Sequence, residues 1–72
     1  MMDDNKNYFK ENLKMLRIEK GIGQTTLAKE IGVSNGIISL WENGLKEPGM
    51  RSLIKLSKFF GVSIDFLVGL ED

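Results

Sequence analysis

Catalysis calls for groups that this chain of 72 residues lacks. It has no histidine and no cysteine, so the commonest general base, the commonest metal ligand, thiolate sites and disulfides are all missing. Any chemistry would fall to paired carboxylates in a pocket. No such pair falls on the apolar side of a helix-spaced segment, and Glu19 and Glu30 read as solvated surface acids. The sequence therefore predicts no catalytic residue, no metal, no cofactor and no small-molecule ligand. The cations say more. All ten Lys and Arg residues lie between Lys6 and Lys58 with five acids among them, a segment of net +5, and the other five acids (Asp3, Asp4, Asp65, Glu71, Asp72) sit at the ends. An overall charge of zero argues against a polyanionic partner, whereas a basic body with acidic ends argues for one. A chance scatter of surface charge would look the same.

The length allows one domain, whose core supplies about 3–5 kcal/mol of net stability. Met1 to Asn5 has neither a basic region nor an apolar run, and no apolar stretch exceeds three residues. Neither an export signal nor a membrane span is expected, and a soluble cytoplasmic protein is. Residues 1–7 are expected to form a flexible tail, followed by a domain at 8–70 and an acidic end at 71–72. Phe9, Leu13 and Leu16 recur at helical spacing between Tyr8 and Lys20, while Lys10, Lys14 and Arg17 line another side. Gly21 ends that helix, and Gly23 stands at the cap of a second, Gln24 to Ile31. Gly32 punctuates, and Ser34 is a good N-cap for a third helix that runs to Asn43 and closes at Asn43-Gly44. After a loop holding the only proline, Met50 to Phe60 forms a fourth helix with Leu53, Leu56 and Phe60 on one stripe. Gly61 ends it, and Ser63 caps a short fifth helix, Ile64 to Val68. No segment alternates over a strand's length, so an all-α bundle of five short helices is predicted.

The informative stretch is Gln24 to Gly44, QTTLAKEIGVSNGIISLWENG. Two helices separated by three or four residues cross steeply, and their contact is crowded. Ala28 is small at the crossing, Gly32 takes a positive φ without steric cost, and Val33, Ile38 and Trp41 fill the corner. Leu13, Leu16, Leu27, Ile31, Leu53, Leu56, Phe60 and Leu67 complete the predicted core. Trp41, three residues from Ile38, reads as core and not as a stacking platform for a base. This stretch resembles the phage-repressor and Cro, or XRE-type, helix-turn-helix family. The matching residues are Gln24, Leu27, Ala28, Gly32, Val33, Ser34, Ile38, Ser39, Trp41, Glu42 and Gly44. LKMLRIEKGIGQ before it agrees, as do Pro48, Leu53 and GVSIDFLVG after it.

The resemblance implies a lambda-repressor-like fold, with the helix-turn-helix at 24–43 and the third helix in the major groove of double-stranded DNA. Such proteins usually bind as homodimers on half-sites about 34 Å apart. Asn35, Gly36, Ser39 and Leu40 then fall at base-reading positions. Gln24 matches a backbone-contacting glutamine, and Asn43, Lys46 and Arg51 are further phosphate candidates. Ser34 is a helix cap on any reading, with a DNA contact in addition. The second and fourth helices offer free amides at their starts. An asparagine amide pairs bidentately with adenine, worth about 1–3 kcal/mol of discrimination; a solvated helix-start residue is the plainer reading of Asn35. Gly36 offers only close approach, and weakens its helix by about 1 kcal/mol relative to alanine. Arg17 and Glu42 match a structural ion pair of some relatives, with a phosphate contact as the alternative for Arg17.

Two departures from the family pattern stand out. Ile37 and Leu40 lie three residues apart where relatives carry polar or basic groups. Both are expected to be partly exposed, packing on thymine methyls or facing a protein. Phe59 and Phe66 stand where relatives tolerate exposed residues, and with Val68 and Leu70 they suggest an apolar dimer patch. A tail folded onto its own core is the alternative. The expected function is a small transcriptional repressor occupying a palindromic operator as a homodimer. A protein-interaction or antitoxin-like module with weak DNA reading and a protein partner is second, and an enzyme a distant third.

Overall fold

The computed structural model describes residues 8–70, so the expected tail (1–7) and acidic end (71–72) lie outside the described residues. Five helices follow one another: α1 Tyr8–Lys20, α2 Gln24–Ile31, α3 Asn35–Glu42, α4 Met50–Phe60 and α5 Ile64–Leu67. No strand occurs among the described residues. The third and fifth helices stop one residue earlier than expected, within the usual fraying of helix ends.

All five helices end alike. Gly21, Gly32, Gly44, Gly61 and Gly69 have positive φ, and the apolar residue after each returns its amide to a carbonyl five positions back. The pairs are Ile22 with Arg17, Val33 with Ala28, Leu45 with Leu40, Val62 with Ser57 and Leu70 with Asp65. This left-handed stop satisfies carbonyls that a helix end leaves free. At Gly32 (φ +71°) it matters most. The Val33 amide reaches the Ala28 carbonyl at 2.9 Å, and the chain turns from α2 into α3 within the three residues that separate them. Gly69 is required for a second reason: at φ +85°, a Cβ there would collide with the Tyr8 side chain. Asn12 of α1 adds a bond across the same junction, its Nδ2 donating to the Phe66 carbonyl at 2.9 Å. The end of the bundle is thereby tied to its beginning.

The apolar stripes converge on one core of Phe9, Leu13, Leu16, Leu27, Ala28, Ile31, Ile38, Trp41, Leu56 and Leu67. The Phe9 ring meets Trp41 edge-on, with centroids 6.2 Å apart. Three residues expected in this core lie at its margin: Val33, Leu53 and Phe60 are half-buried against it. Val33 follows the left-handed glycine and caps the rim of the turn. Within α4, packed between α2 and α5, only Leu56 is enclosed. Leu53 and Phe60, one turn to either side of it, stay half-covered.

Candidate nucleic-acid interface

α3 presents two faces. Ile38, Trp41 and Glu42 are buried, whereas Asn35 and Gly36 are exposed, Ser39 is half-buried and Leu40 is 37% exposed. Ile37 is half-buried against the core margin. Both apolar departures are thus partly exposed, as expected, with Ile37 packed against the core margin and Leu40 standing further out.

The buried face is held by charge as well as by apolar contact. Glu42 accepts from Arg17 Nε at 2.7 Å and from Arg17 Nη2 at 3.0 Å. Gln24 Nε2 adds a third bond at 3.1 Å. Arg17 Nη1 also donates to the Ile22 carbonyl at 2.9 Å. The two charged side chains are only 13% and 3% exposed. A forked, fully bonded pair is the arrangement in which a buried carboxylate is tolerated. Hydrogen bonding to Glu42 lifts the Arg17 pKa above its ordinary value, against desolvation and with help from the Glu42 charge. Of the two roles open to Arg17, the structure shows the ion pair.

Three phosphate candidates are placed differently from expectation. Gln24 turns its amide nitrogen inward onto Glu42, so a phosphate would have to compete for it. Asn43 stands at the C-cap of α3, with Nδ2 directed at the Ser39 carbonyl (2.9 Å) and hydroxyl oxygen (3.3 Å). That contact leaves the Ser39 hydroxyl proton available as a donor. Ser34 occupies the N-cap of α3 by its backbone, but its hydroxyl makes no cap bond.

That missing bond belongs to a pattern. α2, α3 and α4 start at Gly23, Ser34 and Gly49, none with a side-chain cap and none with an acid in the first turn. α5, by contrast, has Asp65 in its first turn, and its Phe66 amide donates to the Ser63 hydroxyl at 2.9 Å. Helix starts with free amides and no internal anion suit an external one. Lys46 and Arg51 are exposed on either side of the α4 start.

Residues 13–67 match a family described as helix-turn-helix, HTH_3. The chain belongs to this helix-turn-helix family. The HTH-type transcriptional activator BcrR of Enterococcus faecalis is 45% identical over 64 residues, 89% of this chain and 31% of that protein. An HTH-type transcriptional regulator of Methanocaldococcus jannaschii is 38% identical over 63 residues, 88% of this chain and 96% of that one. Among solved structures, the P22 c2 repressor in complex with a synthetic operator superposes with a TM-score of 0.84 at 35% identity. That likeness covers 92% of this chain and 100% of the repressor chain. The chain spans from 31% to 56% of the length of three curated relatives that it matches. The lambda-repressor-like architecture expected from the sequence is the one observed.

Proposed function

We propose that the chain is a sequence-specific DNA-binding domain, a small transcriptional repressor that occupies a palindromic operator as a homodimer with α3 in the major groove. The state of α3 carries this reading: its rear is fixed by Ile38, Trp41 and the Arg17–Glu42 pair, while Asn35 and Gly36 stand bare at its start. Asn35 reads adenine, Gly36 admits close approach, Ser39 donates to a base acceptor and Leu40 meets thymine methyls. The open starts of α2 and α4, with Ser34, Lys46 and Arg51, hold the sugar-phosphate backbone. Gln24 and Asn43 join them when a phosphate draws their amides outward. The likeness to an operator-bound repressor supports this placement. Dimerisation falls to the C-terminal apolar side, where Leu70 is 77% exposed. Phe66 is half-buried there, and Phe59 lies beneath the Lys20 ammonium, 4.9 Å from its ring centre. No catalytic role enters the proposal. The protein acts in the cytoplasm, and no helix among the described residues is long and apolar enough to cross a membrane.

Selection from random duplexes at two salt concentrations tests the proposal. The expected result is a palindromic consensus with half-sites about 34 Å apart. Log affinity should fall against log salt by about 0.9 per phosphate neutralised. Shallow binding to every duplex, with no consensus, would transfer the function to protein recognition.

A further inference from the structure

A groove runs between the C-terminal end of α2 and the middle of α4, away from the outward residues of α3. Its apolar base is Ile31 and the half-buried Phe59, and its walls carry Lys29 on one side and Lys55 and Lys58 on the other. Lys55 reaches the Gly32 side of it, its Nζ lying 3.8 Å from where a Cβ at that position would stand. A fourth cation stands over the Phe59 ring, Lys20 Nζ lying 4.9 Å from its centre. Against three lining ammonium groups, with Lys20 beside them, the groove offers a single carboxylate, Glu30. None of the four lysines forms an ion pair among the described residues. Like charges gathered in excess of their counter-charges raise the local potential and draw anions.

We infer that this groove docks an acidic peptide segment of a partner protein, one that sets an apolar side chain among carboxylates. The floor decides between peptide and nucleic acid. A sugar-phosphate chain has no use for Phe59 and Ile31 and would be repelled by Glu30, whereas an apolar side chain between acids uses both floor and rim. Asn35, Gly36, Ser39 and Leu40 do not line the groove. A partner seated there leaves the reading face of α3 free, so occupancy regulates or recruits without displacing DNA by direct overlap. The inference uses none of the side chains proposed to touch DNA, but it shares Phe59 and Lys20 with the proposed dimer side.

The test is an amide chemical-shift titration of the full chain with a synthetic peptide of Glu and Asp residues around a central Leu-Phe pair. Saturable shifts at Gly32, Lys55 and Phe59 are expected, with Asn35 to Ser39 unmoved. The triple variant Lys29→Glu, Lys55→Glu, Lys58→Glu changes only exposed positions, and its fold is checked by circular dichroism. It should bind the peptide about tenfold or more weakly. Replacing the Leu-Phe pair by serines should weaken binding as well. Equal binding of the serine peptide would reduce the groove to a diffuse counter-ion effect and overturn the inference. So would groove shifts produced by a short DNA duplex that expels the peptide. Self-association of the unliganded chain that the triple variant abolishes would give the groove to a second copy instead, and absence of any saturable shift would remove the site.

Discussion

Alanine at Gly36 separates what α3 needs for its own stability from what it needs at a duplex. Of the eight glycines, five terminate helices at positive φ, and Gly23 and Gly49 stand at N-caps. Gly36 alone sits inside a helix, where its φ is not positive and a Cβ would meet nothing within 4 Å. The fold gains nothing from it. Glycine in a helix interior costs about 0.5–1 kcal/mol relative to alanine. Gly36 lies in the first turn of α3, so Gly36→Ala should stabilise the domain by up to that amount. For a domain of this size each kcal/mol is worth about 4–8 °C, and the melting temperature should rise by up to about 8 °C. At the proposed interface the same methyl would enter a contact closed by a bare backbone. Overpacking costs about 1–3 kcal/mol, which is about a 5- to 150-fold loss of affinity. Thermal melts by circular dichroism and anisotropy titrations on the duplex selected by the unsubstituted chain give the two readouts. Opposite signs are the expected result. A higher melting temperature with unchanged affinity would refute the placement of Gly36 against base edges, and a lower one would refute the helix account.

Three further outcomes follow from the same coordinates. Arg17→Met strands Glu42, whose side chain is 3% exposed, and should cost about 3–5 kcal/mol. Urea titration read through Trp41 fluorescence should show the double variant Arg17→Met, Glu42→Leu recovering much of that loss, and additive costs would contradict the pairing. Gly69→Ala should lower the melting temperature more than Gly61→Ala. Both have positive φ, a strain of about 1–2 kcal/mol, but only at Gly69 does a Cβ meet Tyr8; equal losses would dismiss that contact. Leu70→Glu replaces a 77%-exposed side chain and should shift sedimentation toward monomer without lowering the melting temperature. A dimer that persists would move the interface elsewhere.

What the sequence disclosed was local. Gly21, Gly32, Gly44 and Gly61 announce helix ends because a left-handed residue is needed there and glycine alone takes it freely. The elbow was legible from Ala28 and Gly32 for the same reason. Depth was less legible. A stripe at helical spacing says which side of α4 faces inward, but not how far the neighbouring helices extend over it, so Leu53 and Phe60 were placed too deep. Amide direction was not legible at all. Gln24 faces Glu42 across 18 residues of sequence and Asn12 faces Phe66 across 54, and no pattern along the chain encodes either. The lysines of the α2–α4 groove come from three separate helices, counting Lys20 of α1, and only the packing brings them together.

α3 is a poor helix judged by itself. It has eight residues, no side-chain cap, no acid in its first turn, no base in its last, and a glycine inside. A helix of that length is marginal in water even with good formers. Each missing local stabiliser, however, corresponds to something on the outward face: a Ser34 hydroxyl without a cap bond, open amides, and a bare Gly36 beside Asn35. The compensation is on the opposite side, where Ile38 and Trp41 are packed in the core and Glu42 is gripped by Arg17 and Gln24 from two other helices. On the proposed function, stability and recognition fall to separate faces of the same two turns. Damage to the rear grip should weaken DNA binding without touching an interface residue, whereas changes at Asn35 or Gly36 should leave folding intact or improve it.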